Sequence, residues 1–250
     1  VLIKTFRREL GMTEHLRLED YGKAFMDYLG SQTGLFDAAL ERSSFLKLVQ
    51  TEFDDLARKI QREVQAEETT HGDEDDWKEQ REKIVSELVR NCHDEWKNRD
   101  PHDVIPAGSG AQMRSESSGG IADLVTRYFT NRAWTVSSKD AQLLFDLAEF
   151  YVEKRYIAPS SYTGIVVAGF GRDDFFPVLQ RFGVGDFYKG HLKSIELDTV
   201  RISEETPVHV GAYADSDMAG LFLKGVSTPA LDFIIEHVFE SGFLIGDAAL

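Results

Sequence analysis

The amino-acid sequence predicts an α+β protein in which the helices come first and the strands come late. Two observations lead to this prediction. Through most of the first 160 residues, apolar side chains recur every three or four positions, which is the period of a helix. After residue 160 they fall into short runs bounded by glycine, which is typical of strands. Three or four strands that feed one helix, with little linker between them, indicate a packed α+β core.

The first half of the chain contains four helical patterns. Two shorter ones, Val1–Leu10 and Leu18–Leu29, open the sequence. A long amphipathic pattern over Phe36–Gln65 is separated from another over Trp77–Lys97 by the polar, acidic residues 66–76. Two long helices joined by a polar loop predict an antiparallel helical hairpin.

A linker and two further helices are predicted next. Residues 98–120 contain two prolines, four glycines and four serines without any helical period, which predicts a flexible linker over 99–120. A short helix is predicted over Ile121–Thr130 and a longer one over Ser137–Tyr156. The longer one begins with Ser137 and Asp140, a serine followed three positions later by an acidic residue, which is a common helix start.

The predicted strands begin with Gly164–Phe170. This run is continuously apolar, which predicts a strand covered on both faces. A second extended segment covers Phe175–Phe182, with Gly183 and Gly185 marking the turn after it. The alternation in Leu192–Ser203 slips near its middle, which predicts a bulge or a turn at Asp198 and Thr199. The remaining predicted elements are a strand at Val208–Tyr213, a helix at Asp217–Lys224 and a last helix at Thr228–Glu240.

Composition excludes several classes of function. The 250 residues include 43 acidic and 28 basic side chains, giving a net charge of −15, so the surface repels phosphate backbones and we expect no nucleic-acid partner. The single cysteine, Cys92, excludes an intrachain disulfide and fits a reducing compartment. No apolar stretch approaches the roughly 20 residues that span a bilayer. We therefore expect a cytoplasmic protein without a membrane partner.

Three motifs invite a ligand interpretation that the residues do not support. Gly169-Phe170-Gly171 lacks the third glycine of a nucleotide loop, because position 174 is aspartate, and a tight turn explains it better. The acidic run 71–76 lacks the spacing of a calcium loop and is better explained as a solvated loop. Cys92 and His93 with His102 offer too few ligands for zinc. We therefore expect no cofactor and no metal.

Two short motifs near the predicted strands carry a resemblance to a known family. Val167–Gly171 (VAGFG) and Gly211–Met218 (GAYADSDM) resemble the later part of a proteasome-type, N-terminal-nucleophile (Ntn) hydrolase subunit. More closely, the chain resembles uncharacterised bacterial proteins with a proteasome-like front end. The segments that carry this closer resemblance, under half of the chain, are Ile3–Gly11, Leu18–Leu29, Thr163–Pro177 and Ala212–Gly225.

The resemblance implies an Ntn-hydrolase-like fold, in which two sheets pack as a sandwich between flanking helices. The chain starts within a helical pattern and ends in an apolar run, so we expect a piece of a longer protein whose first strands precede Val1. One domain over 1–250 would then comprise outer helices (1–34), a long helical-hairpin insertion (35–98), the linker (99–120), helices (121–160), the strands and loop of the sheet core (161–225) and a C-terminal helix (226–250).

The resemblance also implies a chemistry. Such enzymes use a terminal Thr or Ser as nucleophile, which Val1 cannot supply, so the nucleophile would lie upstream of this chain. The matching supporting loop contains Asp215, Ser216 and Asp217, although Ser and Asp also cap helices, which is the more common role. Two functions follow as hypotheses: an Ntn amide hydrolase or peptidase, or a non-catalytic scaffold that oligomerises or binds a protein or peptide through the hairpin. In either case we expect a homo-oligomer.

Overall fold

In the part of the chain that the structure describes, seven α-helices precede one three-stranded antiparallel sheet, so the predicted α+β class is confirmed. The computed structural model describes residues 2–68, 74–130, 134, 136–158, 161–209 and 211, and the statements below concern these residues. The helices are α1 (Leu2–Leu10), α2 (Leu18–Ser31), α3 (Ala38–Glu68), α4 (Glu74–Asn98), α5 (Ser109–Glu116), α6 (Ser118–Val125) and α7 (Ser138–Glu153). The strands are β1 (Thr163–Gly169), β2 (Val178–Tyr188) and β3 (His191–Arg201).

The predicted helical hairpin, α3 and α4, forms the centre of the hydrophobic core. The apolar stripe of α3 is buried along its whole length, because its residues step by three and four and so share one face. This stripe consists of Phe45, Val49, Phe53, Leu56, Ile60 and Val64. It packs with α4, α6 and α7 in one continuous cluster. The hairpin is therefore an integral part of the described hydrophobic core, because its apolar face supplies many of the buried residues.

The buried face of α4 differs by one position from the predicted one. The sequence places residues 84, 88, 92 and 96 inside at strict four-residue steps. In the structure Val85, Val89 and Trp96 are buried, whereas Ile84 and Cys92 are only partly buried. A helix turns every 3.6 residues, so a row spaced by four drifts around the axis and cannot stay on one face.

The predicted linker over 99–120 is wrong for its second half, which forms α5 and the start of α6. Ser109, Gly110 and Met113 are buried. Gly110 lies so close to α7 that a Cβ built there would be 2.4 Å from the Glu149 carbonyl oxygen. Glu153 accepts hydrogen bonds from the backbone N–H groups of Gly108 and Gly110, at 2.8 and 2.9 Å, and satisfies the free end of α5. Small residues here permit close helix packing rather than flexibility.

The predicted start of α7 is confirmed. Ser137 Oγ accepts a hydrogen bond from the backbone N–H of Asp140 at 3.1 Å and donates one to its carboxylate at 2.6 Å. This arrangement satisfies one of the N–H groups that every helix leaves free at its first turn.

The sheet has the order β1-β2-β3, so the predicted two-sheet sandwich is wrong for the described residues. The chain turns between β2 and β3 at Lys189 and Gly190, whose φ values of 53° and 74° suit a tight hairpin turn. The prediction that Gly183 and Gly185 mark the turn is wrong, because β2 runs through both. The predicted bulge in β3 is confirmed, one residue before Asp198. Arg181 pairs with Asp198 and the next residue, Phe182, pairs with Glu196, so Leu197 is the extra residue of the bulge.

Helix α2 covers one face of the sheet. Gly22 sits directly over β2, where an added Cβ would meet the side chains of Gln180 and Phe182. Val178, Gln180 and Phe182 are buried on this face, while the intervening Leu179 is only partly buried. One face of the sheet is therefore packed and the opposite face stays partly exposed.

Strand β1 is an edge strand, so the prediction that it is covered on both faces is wrong. Among the strands that the structure describes it pairs only with β2, and its residues alternate between exposed and partly buried. Its glycine, alanine and valine side chains produce the same apolar run that a buried strand would. Of the later predicted elements, Val208 and His209 lie outside any strand, and the other residues, except Gly211, lie outside the described part of the chain.

The close packing of α5 on α7 makes a testable prediction. Gly110→Ala would force a methyl group against the Glu149 backbone, and we expect it to lower the free energy of unfolding by about 1–3 kcal/mol. The matched control is Gly119→Ala in α6, where a Cβ meets nothing within 4 Å, so stability should stay unchanged or rise by up to about 1 kcal/mol. Urea unfolding of both variants measures the difference. Equal stabilities would show that α5 does not pack as described.

Candidate functional site

The predicted site residues Asp215, Ser216 and Asp217 lie outside the described residues. Within the described ranges, no group of three or more His, Cys, Asp or Glu side chains could hold a metal ion. Cys92 is packed against the core, and burial raises the pKa of its thiol to about 12. His102 Nε2 lies 2.9 Å from the Ser194 carbonyl oxygen. No helix in the part of the chain that the structure covers is long and apolar enough to cross a membrane.

A cavity of about 280 Å³ lies between α3, the end of α7 and the β2–β3 hairpin. We call it the Lys193 cavity. Two lysines and two acidic residues line it: Lys193 on β3, Lys47 and Glu52 on α3, and Asp186 on β2. Lys193 and Glu52 influence each other's pKa. The rest of the wall combines hydroxyl side chains with the aromatic rings of Trp96, Tyr151, Tyr156, Tyr162 and Tyr188. A concave site with polar groups held among aromatic rings is a common form of a small-molecule site.

Lys193 is deeply buried for a charged residue, with 3% of its surface exposed. Its Nζ donates a 2.5 Å hydrogen bond to the Tyr151 carbonyl oxygen rather than to a carboxylate. Burial lowers the pKa of Lys193 to about 7; attraction to Glu52 opposes this shift, and Arg99 makes a smaller contribution in the same direction as burial. The folded site therefore favours the uncharged amine.

The pKa of Glu52 shifts in the opposite direction, upward. It lies on α3 beside the buried Phe53, and its Oε1 is buried without a hydrogen-bond partner. Burial, with a smaller contribution from Asp55, raises the pKa of Glu52 to about 7, although Lys193 and Arg99 act to lower it. Glu52 and Lys193 can therefore both gain or lose a proton near pH 7, which is what acid–base chemistry requires.

The aromatic wall is itself held by a cation. The Arg99 guanidinium lies 4.5 Å from the Trp96 ring centroid and 4.1 Å from that of Tyr156. Trp96 in turn packs edge-on against Tyr151 at 4.7 Å. These contacts fix the rings in place without using the polar atoms of Lys193 or Glu52.

Sequence reasoning missed the Lys193 cavity. Glu52 lies on the flank of an amphipathic stripe, where glutamate is normally solvated, and Lys193 stands in an alternating strand, where lysine normally points to water. Their burial depends on α3 meeting β3 across a sequence separation of about 140 residues, and no local pattern encodes that contact.

A second surface of interest surrounds the free edge of β1. Seven of the exposed large apolar side chains lie on α1, on the turn after it, on β1 and on the turn after β1. They are Leu2, Ile3, Met12, Leu16, Val166, Phe170 and Phe175. The two turns are joined: Arg172 N–H donates to the His15 carbonyl at 3.0 Å and Asp173 N–H to the Leu16 carbonyl at 2.8 Å. We call this patch the β1 edge surface.

The β1 edge surface also contains an apolar groove, of about 500 Å³, between α1, α2 and β1. Strand β1 has no charged residue and no proline, and its pairing with β2 is regular over all seven residues. Natural edge strands are normally protected by charges, prolines or bulges, because free backbone groups pair readily with other strands. An edge without these features is suited to pairing.

Charge around the β1 edge surface differs from that of the whole chain. Helix α1 carries Lys4, Arg7 and Arg8 against one acidic residue, Glu9, whereas the complete chain has a net charge of −15. This side of the molecule is therefore locally positive or neutral, which lowers the electrostatic cost of bringing an acidic protein close.

No known protein family, curated protein or solved structure matches this chain. Function has to be argued from its own geometry.

The buried pair predicts how stability depends on pH. The folded pKa of Lys193 lies below its ordinary value of 10.5, so between about pH 7 and 10.5 the unfolded chain binds more protons and stability rises with pH. The folded pKa of Glu52 lies above its ordinary value of 4.5, so its contribution falls as pH rises from 4.5 to about 7.

Lys193→Met should therefore remove the rising part and Glu52→Gln the falling part of the stability profile. Each slope is at most about 1.4 kcal/mol per pH unit. Urea unfolding between pH 4.5 and 10.5 measures the difference between each variant and the wild type. Profiles that run parallel to the wild type across both windows would contradict the assignment.

Proposed function

We propose that this chain acts as a non-catalytic, oligomerising scaffold, in which two copies pair their β1 strands edge to edge. The observation that carries the proposal is the uncharged, unprotected edge of β1 within an exposed apolar surface. Antiparallel pairing of two identical edges is symmetric, uses the same patch on both copies and satisfies the free backbone groups of each. The product is one continuous six-stranded sheet.

Charge and geometry favour a second copy of this chain as the partner that pairs with the β1 edge. Each copy carries a net charge of −15, so two copies approach with least repulsion where α1 places Lys4, Arg7 and Arg8 and where β1 is neutral. A seven-residue strand paired with itself also has a natural centre, since Val166 lies opposite its own counterpart. Ile3 and Phe170, both largely exposed in one copy, would be covered in the pair.

The described residues of the hairpin, which the sequence suggested as the docking element, have no free apolar stripe. The core occupies that stripe. Our proposal therefore uses the sheet edge rather than α3 and α4.

Val166→Lys tests the pairing. It would place two like charges directly opposite each other at the centre of the proposed interface, which destabilises cross-strand pairs. Val208→Lys is the matched control, because Val208 is also exposed but lies outside β1 and the other strands, and the charge change is the same. We expect light scattering to give twice 28.2 kDa for the wild type and Val208→Lys, and a single chain for Val166→Lys. A wild type that stays monomeric, or a dimer that Val166→Lys leaves intact, would contradict the proposal.

A second proposal is the Ntn amide hydrolase that the resemblance implies, with this chain as part of its sandwich. The observation in its favour is the face of the sheet opposite α2. There Leu179 and Val200 are only partly buried and Val166 is 39% exposed, which suits a face that a second sheet would cover.

N-terminal sequencing of the mature full-length protein tests the hydrolase proposal. We expect a processed terminus upstream of Val1 that begins with Thr or Ser, since the terminal amine must act as the base. The same sequence should supply an Asp and a Lys to tune the pKa values. A mature protein without a terminal hydroxyl residue would rule out this chemistry.

A further inference from the structure

The Lys193 cavity leaves two buried polar groups incompletely bonded. A lysine ammonium has three N–H donors, and Lys193 Nζ uses one of them on the Tyr151 carbonyl. Glu52 Oε1 is buried without any partner. Burying such groups unpaired costs free energy. Both side chains line the same cavity.

The two groups are complementary in chemistry. An uncharged amine is a nucleophile toward a carbonyl carbon, and a carboxylic acid in the same cavity can supply the proton that the reaction needs. Catalytic lysines of this kind become nucleophilic because burial removes their charge. The oligomerisation proposal uses neither Lys193 nor Glu52.

We propose that the Lys193 cavity binds a small aldehyde or ketone, and that Lys193 Nζ adds to its carbonyl carbon to form an imine. In the first step the nitrogen lone pair forms the C–N bond and the carbonyl oxygen becomes a hydroxyl group by taking the proton that leaves nitrogen. In the second step Glu52 protonates that hydroxyl, the C–O bond breaks and water departs. The resulting iminium returns its proton to the Glu52 carboxylate, so no oxidant or other reactant is required.

The walls limit which carbonyl compounds fit. At about 280 Å³ the cavity lies at the lower end of ordinary ligand sites, which span roughly 300–1,000 Å³. Beside the aromatic rings, the lining carries the hydroxyl groups of Ser44, Thr51, Ser161 and Thr163 and the side chains of Lys47 and Asp186, which can hydrogen-bond polar atoms of a ligand. The substrate class is therefore a compact aldehyde or ketone.

The test is reductive trapping with propanal and sodium cyanoborohydride at pH 7, with site-resolved mass spectrometry of peptides. An ordinary exposed lysine with a pKa near 10.4 is uncharged in roughly one molecule in two thousand at pH 7, and the lowered pKa of Lys193 gives it a larger fraction of free amine. Its weaker basicity reduces that advantage. We expect Lys193 to be alkylated at least about tenfold faster than the exposed Lys78 of the same chain.

Two further measurements separate chemistry from mere accessibility. Glu52→Gln keeps the shape of the side chain but removes its proton, and we expect it to slow alkylation of Lys193 about tenfold or more while Lys78 stays unchanged. Unfolding in guanidinium should abolish the preference for Lys193. The dimer variant Val166→Lys should keep the preference, so failure of the oligomer proposal and failure of this one are distinguishable.

Lys193 labelled no faster than Lys78 in the folded wild type would overturn the proposal. A preference that persists unchanged in Glu52→Gln would also overturn it, since the acid would then play no part. The wild-type comparison needs no substitution at Lys193, so the result does not depend on whether a Lys193 variant folds.

Discussion

The apolar stripe of α3 is the interaction on which the rest of the described structure depends. It packs against α4, α6 and α7 on one side, and it brings Glu52, on its flank, to the β2–β3 hairpin. The contact with the hairpin is reinforced where Glu41 accepts backbone hydrogen bonds from Lys189 and Gly190 at 3.1 and 3.0 Å. The Lys193 cavity therefore exists because a helix of 31 residues spans both the helical core and the sheet.

The sheet is held by α2 over one face and by the helical core at its β2–β3 end, where Tyr188 and Lys193 are buried. Helix α2 covers β2 by placing Gly22, which has no side chain to obstruct it, over Gln180 and Phe182. Arg201 pairs with Glu19, and the Asp174 carboxylate accepts the Leu18 backbone N–H at 2.8 Å, so the end of the sheet at which β1 and β3 finish is tied to the start of α2. Among the described residues these contacts leave the outer edge of β1 unpaired, which is what the oligomerisation proposal requires.

Helices were predictable from the sequence wherever an amphipathic stripe was long. The α3 stripe and the Ser137 cap are encoded locally, and both were found where predicted. Helix α5 was missed because glycine and serine suit both a linker and a close helix contact, and only the position of Glu149 decides between them.

The positions of the strands were also predictable from the sequence, but the extent to which each strand is buried was not. An apolar run such as Gly164–Phe170 fits a central strand and an unprotected edge equally well. The difference depends on which strands pair, and the pairing is not local. The burial of Lys193 could not be predicted either, because it follows from tertiary contacts. The predicted site at 215–217 lies outside the described residues and stays a prediction.

The central claim is that the free backbone of β1 is paired with a second copy. Amide hydrogen exchange of β1 at several protein concentrations measures this most directly, because pairing protects backbone N–H groups that otherwise face water. The account predicts that the outward-facing amides of residues 163–169 become protected as concentration rises, while those of β3 exchange at the same rate throughout. Exchange of the β1 amides that is equally fast at every concentration would contradict it.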